Sequence, residues 1–208
     1  MKRSNAPVSS DGVTAWLEAL FPRGASYWVP DLHGLLKTRL GLNPAAHSAQ
    51  GLWGASAETE ALLGRRLGWV MDGEPLVFFT PSVLEEVARA LAVADGGVVP
   101  TPQHTCQAQA MMEALGIDHL AERAPDRLSD GETKLLWTAV QAAKAPRWLA
   151  FDSLTASLSE ATAARLVAFL SKLTPRPVFL VGECPPQGFP DNLGPWVTLP
   201  EGEGVPHV

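Results

Sequence analysis

Apolar residues fall along this chain in two alternating styles. Short continuous runs at Ser26 to Val29, Leu67 to Val70, Arg147 to Asp152 and Pro177 to Gly182 read as strands, and Trp196 to Leu199 reads as a last edge strand. Between them the apolar positions return at helical spacing. Leu32 to Leu42 has apolar residues at 32, 35, 36, 40 and 42 and is ended by Asn43-Pro44. Glu58 to Arg66 is a short helix. Pro81 to Leu91 opens with Ser82 as a cap and Glu85 three positions on, and Val83, Val87 and Leu91 share a face. Ala92 to Thr101, with Gly96-Gly97 and Pro100, reads as a loop. Gln103 to Gly116 is helical, with Met111, Met112 and Leu115 as core filler, and Asp118 to Arg123 is a further short helical piece. Glu132 to Lys144 and Ser159 to Leu173 are the last two helices. Val13 to Leu20 fits a helix or a strand, and residues 1–12 read as a flexible leader. Fully apolar strands that alternate with helices predict an α/β fold with a mostly parallel sheet covered on both faces.

The stretch Leu128-Ser129-Asp130-Gly131-Glu132-Thr133-Lys134 stands at the start of one of these helices. Ser129 and Glu132 have the spacing of a capping box, in which each side chain satisfies an amide of the helix start. The same free amides, with the positive end of the helix dipole, can also face a phosphate. The residues alone leave both readings open. The helix is followed by an apolar strand that ends in Asp152.

Composition narrows the field. The 208 residues suit one domain, 1–208, and 46% hydrophobic with 18% charged residues supplies a core and excludes a disordered chain. Net charge is -6, with no basic run beyond Lys2-Arg3, so the footprint of a nucleic-acid binder is missing. Two distant cysteines, Cys106 and Cys184, make neither a disulfide framework nor a zinc motif, and they fit a reducing cytoplasm. His33, His47, His104, His119 and His207 share no ligand spacing, so no metal site is expected. The start has no apolar signal-peptide core, and no run approaches the ~20 apolar residues of a membrane span.

From Leu128 to Glu160 the chain resembles the nucleotide-binding subunit of ABC transporters. Leu128-Ser129-Asp130-Gly131-Glu132 is similar to that family's LSGGQ signature. Trp148 to Asp152 is similar to its Walker B strand, and Leu154 to Ser159 to the loop that follows. Upstream, Leu67 to Val70 with Phe79 to Val87 resembles the segment around the glutamine loop. Its flavour is that of the energy-coupling-factor (cobalt/nickel) type. Gly116 to Arg123 resembles the piece before the signature. The resemblance implies a P-loop NTPase-like ABC core, a small helical subdomain at about 82–130 and a reduced N-terminal β region.

Departures accompany the resemblance. A phosphate cradle needs glycines, a Lys and a Ser/Thr at GxxxxGK[ST] spacing, and that motif is missing. Gly34-Leu35-Leu36-Lys37-Thr38 keeps only the Lys37-Thr38 pair, and the spacing to Gly41 favours a register with Leu32 at the lysine position. Ser153 stands where the family has its catalytic carboxylate, and a hydroxyl cannot polarise water as a carboxylate does. Glu183 stands at the switch-histidine position, Asp72 at the glutamine-loop position and Ser159 where the following loop ends in Asp. Asp130 adds a charge that opposes phosphate in the signature itself.

The resemblance therefore implies a catalytically degenerate ABC-type subunit with no catalytic residue of its own. It pairs with an active ATPase subunit, or with itself, and contributes Ser129, Asp130, Gly131 and Glu132 in trans. ATP and magnesium are expected only at a site shared with a partner; Asp152 and Ser153 are a Walker B-like remnant, and without a phosphate loop Asp152 is expected to cap or hydrogen-bond near the strand end rather than to touch magnesium. A membrane transport subunit is expected to dock near Asp72 to Glu86, which places the chain in the cytoplasm or at the inner face of the membrane. The alternative is a scaffold or regulatory protein that has lost nucleotide chemistry. A third reading keeps an active ATPase with an unusual phosphate loop near Gly24 to Thr38. Trp53 and Trp69 are candidate partner-facing aromatics.

Overall fold

Every strand among the described residues lies in one sheet, and every pairing in it is parallel. The structure is a computed structural model and describes residues 10–30, 32, 36, 66–70, 78–182 and 193–198. In chain order the elements are α1 (Ser10–Leu20), β1 (Ser26–Trp28), β2 (Leu67–Val70), α2 (Val83–Ala94), α3 (Pro102–Leu115), α4 (Asp130–Ala143), β3 (Trp148–Phe151), α5 (Glu160–Ser171), β4 (Val178–Val181) and β5 (Trp196–Thr198). Single 3-10 turns at Asp118–Leu120 and Pro125–Arg127 connect α3 to α4. The sheet order is β2-β3-β4-β1-β5.

The central strands are apolar at every position because both faces are covered. Side chains alternate between faces, so each strand feeds two cores. Leu149 and Phe151 of β3, with Phe179 and Val181 of β4, join a cluster with α2, α3, α4 and α5. Trp148 and Ala150, with Val178 and Leu180, join the opposite cluster with Leu17 and Phe21 of the α1 segment and Tyr27 of β1. Trp148 also donates from its indole nitrogen to the Phe21 carbonyl at 3.2 Å. An Arg147–Glu18 ion pair ties α1 to the start of β3.

Helix ends follow local chemistry. Ser82, Ser129 and Ser159 each accept a bond from the amide three positions on, at 3.3, 3.4 and 3.3 Å. Thr101 and His104 form a further capping box at α3, which closes at Gly116 in the left-handed conformation.

Several expectations change. The first helix begins at Ser10, so residues 10–12 are helical rather than leader, and the ambiguous Val13 to Leu20 stretch is helix. Helix α2 runs on to Ala94, past the expected stop at Leu91, because Ala92 is fully buried and keeps that turn packed. Asp118 to Arg123 holds one 3-10 turn only. Trp69 is 8% exposed and belongs to the core cluster that holds Trp148, so it is a core residue rather than a surface anchor. Trp53, the Glu58 to Arg65 part of an expected helix and most of Leu32 to Leu42 lie outside the described residues; Leu32 and Leu36 are helical.

Leu149→Ala removes a fully buried side chain from the middle of the sheet. It is expected to destabilise the fold by about 2–5 kcal/mol. The check is a lowered urea midpoint with an unchanged slope.

Candidate functional site

Parallel strands bring their carboxyl ends to one edge, and such edges are where open α/β sheets bind ligands. Three backbone bonds align the ends here. Val29 donates to Val181 O at 2.9 Å, Gly182 to Phe151 O at 2.9 Å, and Asp152 to Val70 O at 3.2 Å. Asp152, half-buried, therefore stands at the end of β3 beside Gly182 at the end of β4. A Cβ on Gly182 would lie 2.9 Å from the Asp152 carbonyl and 3.1 Å from the Leu32 Cβ. Glycine alone admits that approach.

Leu32 follows β1 and is 0% exposed, as is Leu36. Both belong to the apolar cluster of Leu17, Phe21 and Trp148. A bound phosphate is held by converging amides or by cationic groups. The Leu32 and Leu36 side chains carry no such group. Ser153 turns inward on its own loop, its hydroxyl accepting from the Ala156 amide at 3.2 Å. Ser159 caps α5 by accepting from Thr162 N. Lys37, Thr38, Asp72 and Glu183 lie outside the described residues.

The start of α4 is the second part of the site. The Ser129 amide and hydroxyl both donate to one Glu132 carboxylate oxygen at 2.8 Å. The Glu132 amide donates back to the Ser129 hydroxyl at 3.4 Å. These bonds from Ser129, backbone first, hold the Glu132 carboxyl below its ordinary pKa, with Arg123 at 3.6 Å adding attraction. The amides of Asp130 and Gly131 take no partner among the described residues and point out of the first turn. Asp130 is exposed beside them.

The fold brings these two parts together. A Cβ on Gly131 would lie 3.0 Å from the Ser157 carbonyl and 3.4 Å from Leu158 Cδ2, so the loop after β3 runs against the α4 start. Lys134, one turn into α4, donates to the Ala156 carbonyl at 3.0 Å. Among the described residues no group of three or more His, Cys, Asp or Glu could hold a metal ion.

Two features escaped sequence reasoning. Glu86 is buried and accepts from Phe79 N and Thr80 N at 3.0 Å and from the Thr80 hydroxyl at 2.8 Å. This holds Phe79 on the surface at 63% exposure, with the Arg89 guanidinium 5.0 Å from its ring centre. Burial pushes the Lys144 amine below its ordinary pKa, against the opposing pull of Glu86. Helical spacing from Val83, through 86 and 87, to Ala90 was the available signal for the inward placement of Glu86. Lys134 was the other omission, read only as part of the motif.

Ser129→Ala is expected to cost about 0.5–2 kcal/mol through the lost cap, read by chemical denaturation. The lowered Glu132 pKa gives a sign as well. Its contribution is complete above the ordinary glutamate pKa of about 4.3 and fades as pH falls through the lower folded value. Glu132→Gln should flatten the acid side of the stability–pH curve in that window and leave its neutral-to-alkaline shape unchanged.

No family model matches the chain. The molybdenum import ATP-binding protein ModC of Pseudomonas syringae pv. tomato is 36% identical over 75 residues, which are 36% of this chain and 21% of ModC. An ABC transporter ATP-binding protein of Nitratidesulfovibrio vulgaris is 30% identical over 145 residues, covering 68% of this chain and 49% of that protein. The chain thus spans between a fifth and a half of the length of these curated relatives. Among solved structures, the ATP-binding cassette MJ0796 in a dimeric post-hydrolysis state with ADP and Pi superposes with a TM-score of 0.67 at 17% identity, covering 89% of this chain and 85% of that one. CbiO1 of Clostridium perfringens, part of the CbiONQ transporter complex, gives a TM-score of 0.51 at 20% identity, over 78% and 68% of the two chains. In its backbone the protein carries the ABC ATPase cassette fold, and its sequence relatives make it a homologue of the ABC-type ATP-binding proteins.

Proposed function

We propose that this chain is an ABC-type ATP-binding subunit of a transporter that no longer holds its own nucleotide and works in a pair. In this reading it presents the first turn of α4 to ATP and magnesium held by an active partner. Ser129 and the amides of Asp130 and Gly131 face the triphosphate, while the partner supplies lysine, magnesium ligands and base. The observation that carries the reading is Leu32, an apolar side chain fully buried at the strand edge beside Asp152 and Gly182. Its place after β1 supports the loss of the phosphate loop.

Asp152 retains a carboxylate at the strand end, but its neighbour Ser153 offers no base. The exposed Asp130 carboxylate disfavours a bound phosphate and is the specific observation on the side of the second reading, a scaffold that works through protein contacts alone. Among the described residues no helix is long and apolar enough to cross a membrane. Attachment to a membrane in this reading goes through a transport subunit docked on the 72–86 segment, with Phe79 as its exposed aromatic anchor.

Three measurements test this. The isolated chain should show no rise in Tm with magnesium-ATP; a concentration-dependent rise sinks the lost-site reading, because a ligand that binds the native state must stabilise it. The ATPase subunit that co-purifies with the full chain should lose activity by about 10²-fold when Ser129→Arg fills the shared site. Activity equal to wild type selects the scaffold instead. Phe79→Ala should weaken co-purification of a membrane subunit by about 2 kcal/mol, the size expected of a hot spot, without lowering Tm.

A further inference from the structure

Two segments that the sequence marks separately, the α4 start and the loop after β3, are fastened by one side chain. Lys134 is only 5% exposed, and its Nζ donates to the Ala156 carbonyl at 3.0 Å. On the same helix face Gly131 lets the Ser157 carbonyl approach to where a Cβ would be 3.0 Å away. The loop is itself shaped by two internal bonds, Ala156 N to the Ser153 hydroxyl and Leu158 N to Thr155 O, both at 3.2 Å. Ser157 takes a positive φ of 66°, a conformation that costs an L-residue energy unless its surroundings hold it. The Lys134 bond supplies that hold from outside the loop. Helix α4 in turn is rigid on its other side, where Leu135, Leu136 and Ala139 are buried in the main core.

We propose that Lys134 is a positioning residue that locks the 153–158 loop to the first turn of α4, so that the two reach a shared nucleotide site as one unit. This rests on the paired reading above. The bond from Lys134 Nζ ties the loop to a helix whose neighbouring residues Leu135 and Leu136 are fixed in the main core. Losing the lock leaves α4 capped by Ser129 and Glu132 but lets the loop open.

Two arms separate this inference from the reading it rests on. In the isolated chain, Lys134→Met should speed amide hydrogen exchange at Ala156 and Leu158 by about tenfold, the worth of one hydrogen bond from a charged donor, while amides of Ala139 to Ala143 keep their rates. Lys134→Arg should restore part of the protection. Unchanged exchange at Ala156 and Leu158 overturns the lock outright, and no partner is needed to see it. Should Lys134→Met fail to fold, Gly131→Ala pushes the Ser157 carbonyl off the same helix face and is read in the same way. The second arm uses the co-purifying ATPase subunit with magnesium-ATP. Lys134→Met should lower kcat about tenfold with KM unchanged, because the site is misplaced rather than weakened. If Ser129→Arg abolishes activity and Lys134→Met does not alter kcat, the positioning role is wrong and the paired reading stands. If Ser129→Arg changes nothing, the paired reading falls and the positioning role falls with it, while the exchange arm still decides the lock.

Discussion

Burial of β3 on both faces is the constraint on which the molecule depends. Trp148, Leu149, Ala150 and Phe151 have no exposed surface, and they divide between the two cores. Each large side chain among them contributes roughly 1.5–3 kcal/mol of burial. The strand pairs β2 on one side and β4 on the other, so it fixes the register of both. That register sets Asp152 level with the ends of the neighbouring strands. The chemistry at the edge is therefore placed by packing several residues away from it.

The same burial organises the helices. Leu149 and Phe151 form the floor on which α2, α3, α4 and α5 lie, and these helices share one apolar cluster with the sheet. Helix α4 is held by its buried face, and its first turn projects to the surface, where Ser129 and Glu132 close the cap. The loop after β3 runs against that turn. Gly131 meets the Ser157 carbonyl and Leu158 there, and Lys134 meets the Ala156 carbonyl. The buried Glu86 carboxyl accepts from the Phe79 and Thr80 amides, just as buried Lys134 donates to the Ala156 carbonyl: in each case a buried side chain meets the backbone of a loop.

Much of the fold was legible in the sequence because strand burial and helix caps are local. The apolar runs at 148–151 and 178–181 could be read directly, since a strand covered on both faces needs no alternation. Ser82, Ser129 and Ser159 were legible as caps because a cap is a contact between residues three apart. The Thr101–His104 box was missed because a His at that position is a rarer partner than Glu or Gln. The end of α2 is not legible because the burial of Ala92, which keeps the last turn packed, comes from tertiary contacts rather than from the local pattern around Gly96-Gly97. Trp69 looked like an exposed anchor because a large aromatic beside Gly68 gives no sign of which way it faces. The strand pairing of β2 with β3 turned it inward.

For the candidate site the division is sharper. The sequence by itself determined the identity of the groups: a capped helix start at Ser129, a carboxylate ending a buried strand at Asp152, and a missing phosphate motif after the first strand. These are properties of short windows, where spacing along the chain equals spacing in space. Only the tertiary structure decided that Leu32 is buried against the strand edge, that Gly182 must be small to pass Asp152 and Leu32, and that Lys134 reaches across to Ala156. Each of these joins residues that are distant in the chain. Their meeting depends on the sheet order β2-β3-β4-β1-β5, which burial on both faces permits but no local pattern specifies.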